Sequence, residues 1–296
     1  MTGRAQTLGM LAMLASCFAF AGLDAMAKSV SDTLPGVQIA FFRVAFSWPF
    51  IAVMVWWQGL GTVRSAKVRL HALRAGVQSG SMLLFFTGLA TTPLAQVVAI
   101  EFASPLMAVA LAALLMGEAL PLRRVLALLA GVVGLLVAVR PGMIAVGPGP
   151  LMIIGSAVFW AGTILIVRHL GRTESSTAQV FYVALFLTPI NGLVALTVWQ
   201  TPSWADLGIM LLAAGMGTAA LWLYGEALRL ADLTAVMPLD FTKILWASLF
   251  GWVFFAEQPD LLTLAGGLII FAAALILTLI ERGIEKAAPP PPTSID

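Results

Sequence analysis

The amino-acid sequence predicts an all-α integral membrane protein, with ten transmembrane helices arranged as two inverted five-helix repeats around a central cavity. Three observations carry this. The chain of 296 residues is 60% hydrophobic and only 10% charged, far from the balance of a soluble globular domain. It divides into ten apolar stretches, each near the roughly 20 residues that a helix needs to cross a bilayer. It also repeats itself: VVAIEFASPLMAVALAALLMGE from Val97 to Glu118 returns 139 positions later as VMPLDFTKILWASLFGWVFFAE from Val236 to Glu257.

The repetition extends beyond that pair. SCFAFAG from Ser16 to Gly22 answers SAVFWAG from Ser156 to Gly162 at an offset of 140, with Phe20 opposite Trp160 and Lys28 opposite Arg168. Gln38 and Phe41 answer Gln179 and Tyr182 at 141. Segments in one order at nearly one offset make two copies of a unit of about 140 residues. An odd number of spans per copy inserts the second copy upside down, the plan of secondary transporters. The boundaries predicted are an N-terminal segment 1–7, a first repeat 8–142, a second repeat 143–282, and a tail 283–296 whose four prolines, Pro289 to Pro292, favour an extended or disordered chain.

Taken in order, span 1 (Leu8–Lys28) carries Phe20 and Asp24. Its Cys17 is the only cysteine, which excludes an internal disulfide and a cysteine metal site. Leu14-Ala15-Ser16-Cys17 resembles a lipoprotein processing box, but cleavage there would remove half of a segment that the second repeat matches. Span 2 (Val37–Gln58) holds Arg43 and Pro49; span 3 (Leu70–Leu89) holds Met82, Phe85 and Phe86, which either line a cavity or simply pack. Span 4 (Leu94–Gly117) holds Glu101 with Pro105 four residues on, so the carbonyl that the proline cannot serve is that of Glu101 itself. Span 5 is Leu122–Val139. Span 6 (Pro150–Val167) carries Trp160, span 7 (Thr177–Gln200) Tyr182 and Pro189, and span 8 (Leu207–Leu228) Tyr224 and Glu226. Span 9 (Leu233–Phe255) carries Pro238, Asp240, Phe241, Lys243 and Trp246, and span 10 is Leu261–Ile280. A proline without a ligand reads first as a kink.

Twelve of the 16 Lys and Arg fall on the side of both termini (Arg4, Arg64, Lys67, Arg69, Arg74, Arg123, Arg124, Arg168, Arg172, Arg229, Arg282, Lys286), against Lys28 and Arg140 opposite. That bias places both termini in the cytoplasm. His71 and His169 fall in loops and are read as solvated, leaving carboxylates for any proton chemistry. No stretch reads as GxxxxGK[ST], the loops leave no room for a soluble catalytic domain, and no cofactor, metal or nucleic acid is expected.

A charged side chain in hydrocarbon costs about 2.5 kcal/mol or more, so every in-span charge must face protein or water. Asp24, Arg43 and Glu101 come at similar depth in the outer third, where Arg43 pairs with one or both acids; the pairing serves either transport or a structural tie between helices. Asp240 and Lys243, three residues apart on one face, lie in the inner third, at a depth mirroring Glu101; they either contact substrate or neutralise each other. Phe20, Phe102, Trp160, Tyr182, Tyr224 and Phe241 are the aromatic candidates for a binding cavity, and Asp24, Arg43 and Pro105 for a charge cluster or gate. A membrane-embedded lipid enzyme would need a nucleophile, histidine base or metal set within the spans, and a channel a ring of repeated charges, neither of which is seen.

Ten spans in two inverted repeats, FFRVAF in span 2, and repeats ending in LLMGEALP and VFFAEQPD resemble the EamA-type carriers of the drug/metabolite transporter superfamily, over nearly the whole of Leu8 to Ile280. Within it the chain resembles the bacterial aromatic amino acid exporters. The resemblance implies a bacterial inner-membrane protein, a cavity lined by spans 1, 3, 4, 6, 8 and 9, and export of small amphipathic metabolites such as aromatic amino acids, with cationic drugs the alternative. The partners expected are that substrate and membrane lipid, around a monomer or weak oligomer. The second copy departs from the first, with Ala184 opposite Arg43, Ile164 opposite Asp24 and Ile244 opposite Pro105.

Overall fold

A computed structural model describes residues 3–116, 122–140, 147–170, 174–231, 239–258 and 260–287. Among these the chain is helical, without strands: α1 (Gly3–Ser29), α2 (Gly36–Ala45), α3 (Trp48–Gln58), a short 3₁₀ turn (Leu60–Val63), α4 (Val68–Leu89), α5 (Leu94–Glu101), α6 (Ser104–Met116), α7 (Leu122–Val139), α8 (Pro148–Leu170), α9 (Ser176–Leu196), α10 (Trp204–Leu230), α11 (Thr242–Phe255) and α12 (Leu261–Ala287). Seven segments, from Ala5–Ser29 to Trp204–Ala227, are long and apolar enough to cross a membrane, and Thr242–Phe255 and Leu261–Leu277 are shorter apolar helices. α4 falls outside that set because Arg69, His71, Arg74 and Gln78 dilute its apolar content.

Two predicted spans are broken where proline forbids a continuous ladder. Span 2 divides into α2 and α3, with Pro49 in the first turn of α3. Span 4 divides into α5, which ends on Glu101, and α6, in which Pro105 is the second residue. Between them Phe102 N–H donates to the Val98 carbonyl at 3.2 Å and Ala103 N–H to that of Ile100 at 3.0 Å. The second copy makes the matching turn at Phe241, just before α11, although Ile244 stands where Pro105 would. Pro189, by contrast, sits inside a continuous α9; Pro238 lies outside the described residues. α10 opens on a reciprocal capping box in which Ser203 Oγ accepts from Asp206 N–H at 3.1 Å and the Asp206 carboxylate from Ser203 N–H at 2.9 Å.

Packing crosses between the repeats. α1 lies against α10 and α11, and its counterpart α8 lies against α4 and α6, so the two sets interchange under the sequence match. α7 packs on its own counterpart α12, and α2 on its counterpart α9. At the α7–α12 crossing, a side chain on Gly134 would stand 2.9 Å from the Gly266 carbonyl and 2.8 Å from Ile270 Cγ1, so only glycine permits this approach. α1 ends, and α12 begins, at the same end of the bundle, which puts the amino end of α1 and the carboxyl end of α12 toward the other.

Both histidines correct the sequence expectation. They lie in helices rather than loops: His169 in α8, with its side chain exposed, and His71 in the first turn of α4, fully buried. Arg74 also belongs to α4 rather than to a loop. α4 rotates a polar stripe inward against α9, which a hydropathy window cannot show.

Candidate functional site

Four elements deliver charge to one place. Asp24 comes from the last turns of α1, Arg43 from the last turn of α2, Glu101 from the end of α5, and Lys243 from the first turn of α11. Lys243 Nζ donates to Glu101 Oε2 at 2.7 Å and lies 3.5 Å from Asp24 Oδ2. Arg43 stands close enough to feel both Asp24 and Glu101, but its Nη1 is directed at Met82 Sδ, 3.9 Å away. Gly217 of α10 leaves it room: a Cβ there would lie 3.7 Å from Arg43 Nη2. Of the two readings of Asp240 and Lys243, mutual neutralisation is incomplete, since Lys243 bonds across to the first repeat while still feeling Asp240. The separation in depth expected between Glu101 and Lys243 is corrected, because the two touch.

This pair is placed against its backbone. Glu101 closes the carboxyl end of α5 and Lys243 opens the amino end of α11, where helix dipoles favour the opposite charges. Each therefore depends on the other, and an incoming charge can compete for either. Glu101 keeps 33% of its side chain accessible, Lys243 15% and Asp24 5%. A carboxylate that accessible must face protein or water rather than hydrocarbon, so the cluster is open on one side rather than sealed in the core.

Aromatic rings line the same place. Lys243 Nζ lies 5.5 Å from the centre of the Phe20 ring. Phe102 and Phe241, each one residue past an in-span acid, stack with centroids 6.0 Å apart, and Phe271 of α12 meets them at 5.6 and 5.3 Å. Sequence reasoning missed Phe271, which stands in an apolar run with no polar neighbour to mark it. Asp240 sits behind these rings, with Cys17 Sγ 3.7 Å from its Oδ1 and Tyr224 beside both. Tyr224 packs with Met13, Cys17, Leu239 and Trp246. Two candidates lie elsewhere. Trp160 projects from α8 with 38% of its surface exposed, and Tyr182 stacks on His71 at 4.8 Å.

At the end of the bundle away from the termini, two ion pairs hold the helices together. Lys28 of α1 pairs with Glu257 and also donates to the Thr92 carbonyl at 2.6 Å, while Glu257 Oε2 accepts from Leu94 N–H, the first amide of α5, at 2.8 Å. Arg140 pairs with Asp260, which begins α12 and accepts from Thr263 Oγ1 at 2.6 Å. Arg140 and Ala256 both adopt φ 53°, left-handed backbone that costs a residue with a side chain about 1 kcal/mol. A cavity of about 390 Å³ lies beside these pairs, lined by Thr91, Gln96, Arg140, Ser248, Glu257 and Asp260 among others. Partial burial works against the charged Asp260 carboxyl, but hydrogen bonds from Thr263 and Leu262, with Arg140 alongside, outweigh it and hold its pKa below the ordinary value. Glu118, the repeat partner of Glu257, lies outside the described residues.

Two repeats, cross-packed around a partly accessible cluster of opposed charges and rings, are the arrangement of a membrane carrier. The sequence matches the EamA-like transporter family over residues 7–140 and again over 147–279, and the chain belongs to that family, a family of transporters rather than enzymes. A riboflavin transporter of Vibrio cholerae is 30% identical over 276 residues, 90% of this chain and 92% of its own. An S-adenosylmethionine uptake transporter of Rickettsia felis is 26% identical over 259 residues, 88% of each chain. A pseudopaline exporter of Pseudomonas aeruginosa is 29% identical over 285 residues, 93% of this chain and 96% of its own. A solved crystal structure covering 95% of this chain and 99% of its own superposes with a TM-score of 0.63 at 19% identity, which shows a shared fold.

Proposed function

We propose that this chain exports a small amphipathic molecule, one with a flat aromatic ring and a charged end, across a bacterial inner membrane by alternating access. Aromatic amino acids fit that description, and so does S-adenosylmethionine, after which one relative is named; riboflavin, after which another is named, has the ring but a neutral polyol chain in place of the charge. Phe20, Phe102, Phe241 and Phe271 would take the ring. Lys243 and Arg43 would meet a carboxylate, and Asp24 and Glu101 an ammonium or sulfonium. The observation that carries this reading is the Lys243–Glu101 bond between the repeats, beside three clustered rings and partly accessible. A substrate's charges can replace that bond one for one.

The same proposal includes ten spans in inverted repeats, cytoplasmic termini and a monomeric unit. The interchange of α1 and α8 neighbours, the shared end of the termini and the bias of basic residues support it. A second reading, a cationic substrate, is favoured by charge count, because Asp24, Glu101 and Asp240 outnumber Arg43 and Lys243.

Counterflow into proteoliposomes tests both. Labelled tryptophan, riboflavin and S-adenosylmethionine are offered to the native chain and to Glu101→Gln. Saturable exchange of at least one, lost in the variant, is expected. Uptake of S-adenosylmethionine alone selects the cationic reading. Equal exchange by a folded Glu101→Gln protein removes the cluster from the mechanism.

A further inference from the structure

Buried polar atoms without a hydrogen-bonding partner are uncommon in native proteins, and each asks for water or a ligand. Among the described residues eight such side-chain atoms occur. Five of them, His71 Nδ1 and Nε2, Arg74 Nε, Gln78 Oε1 and Asn191 Nδ2, lie along one seam between α4 and α9. At the inner end of that seam lies the central cluster, where Asp24 Oδ2 is 3.5 Å from Lys243 Nζ. The row is not a scatter of defects. His71, Arg74, Gln78 and Met82 follow one another at intervals of three and four residues, which is one stripe of α4. Met82 in turn touches Arg43 of the cluster. From His71 to Met82 the stripe rises about 16 Å, half of a bilayer's hydrocarbon thickness.

We infer that this seam is a water-filled proton half-channel joining the terminus-bearing, cytoplasmic end of the bundle to Asp24, and that transport is proton-coupled, with substrate leaving as protons enter. The inference rests on the transport reading above and names its coupling ion. His71 is the outermost station. Burial holds its pKa below the ordinary imidazole value, and Glu174 works against that shift. The groups facing it are Glu174 from the turn before α9, 3.7 Å from its Nε2; Tyr182 of α9, stacked on its ring; and Arg74, one turn along α4. Protonation would give Glu174 a cation to pair with. At the other end Asp24 faces Lys243, Glu101 and Arg43.

Between the two, Arg74 is held by Gln179, 3.2 Å from its Nη1, and Ser79 donates to Asn191 Oδ1. The open donors and the Gln78 acceptor are complementary partners for a line of water molecules. The fixed charges of Arg74 and Arg43 repel sodium and potassium, which would have to rest beside them. They also deny a hydronium ion any resting place in mid-seam. A proton's stations are thus the two ends, and it passes only when Asp24 is free to take or release it.

The test uses the full chain in liposomes. In a His169→Asn background His71 is the sole histidine, and its ¹⁵N resonances report its charge directly. They are expected to shift from neutral to protonated as the pH is lowered, at more acid pH than for an ordinary histidine because burial opposes the charge. A ring that stays neutral throughout overturns the proposal, whatever any transport assay shows. Riboflavin and tryptophan are the transport probes, offered with and without an acidic lumen. Acid-driven accumulation is expected in the native chain. In His71→Gln and Asn191→Leu, exchange of labelled for unlabelled probe should persist while the response to the gradient is lost. A gradient response retained by both variants overturns the proposal. Failure of exchange itself in the native chain sinks the assigned substrates instead, and leaves the histidine titration to decide the proton site.

Discussion

At the scale of single residues, the chemistry turns on charges that the backbone disfavours. Lys243→Met leaves Glu101 and Asp24 without their cation in a partly buried site. It should cost about 2 kcal/mol, between the values for exposed and buried pairs. The double variant Lys243→Met, Glu101→Gln should recover most of that stability and none of the transport. Thermal unfolding in detergent alongside counterflow separates the two effects. The rings should act on affinity: Phe241→Leu keeps the apolar volume but loses stacking worth about 1 kcal/mol, so the apparent Kd for an aromatic substrate should rise about fivefold.

Elements carry the next set of forces. Glu257 ties α1 to the amino end of α5, and neutralising it loosens that junction. A cysteine placed at Gln96, which lines the adjoining cavity, should react faster with a membrane-impermeant maleimide once Glu257→Gln is added; an unchanged rate would free this junction from any gating role. Asp260 opens α12 with a lowered pKa, so its contribution to stability is present above the ordinary carboxyl value and lost as pH falls through the folded one. The stability gap between the native chain and Asp260→Asn should therefore hold near neutrality and close below about pH 4. At the α7–α12 crossing, Gly134→Leu forces a side chain into the Gly266 backbone, a loss of about 2 kcal/mol readable as a lower Tm.

For the whole molecule, the decisive feature is that the repeats pack through each other. α1 finds its main neighbours in α10 and α11, and α4 in α8 and α9, all from the second repeat. Most of the packing among the described helices is between the two halves rather than within either one. Residues 1–142 expressed alone should fail to give a monodisperse particle, whereas co-expression with 143–296 should restore one that matches the intact chain in size-exclusion chromatography. Any motion of one repeat against the other passes through the charges that join them.

Much of this was legible in the chain itself. Composition dictated a membrane protein, because so apolar a sequence has no other solvent. The recurrence of SCFAFAG and of the acid–Phe pairs dictated two copies, and Pro105 dictated a broken span at Glu101. The charged side chains of the site were all visible, since an ionised group in an apolar run must have a partner. What the sequence could not convey was which partner. Depth counted along straight helices set Glu101 and Lys243 apart, but both spans break beside their acids, and the break swings the two ends together. Helix rotation was equally invisible: it buries His71 and turns Tyr182 onto it, while leaving Trp160 exposed. The sequence by itself determined the solvent, the repeats and the ionisable groups, which follow from local composition and periodicity. Only the tertiary structure decided the pairings, because a pairing depends on how helices from two distant halves rotate and cross, and no single segment contains that information.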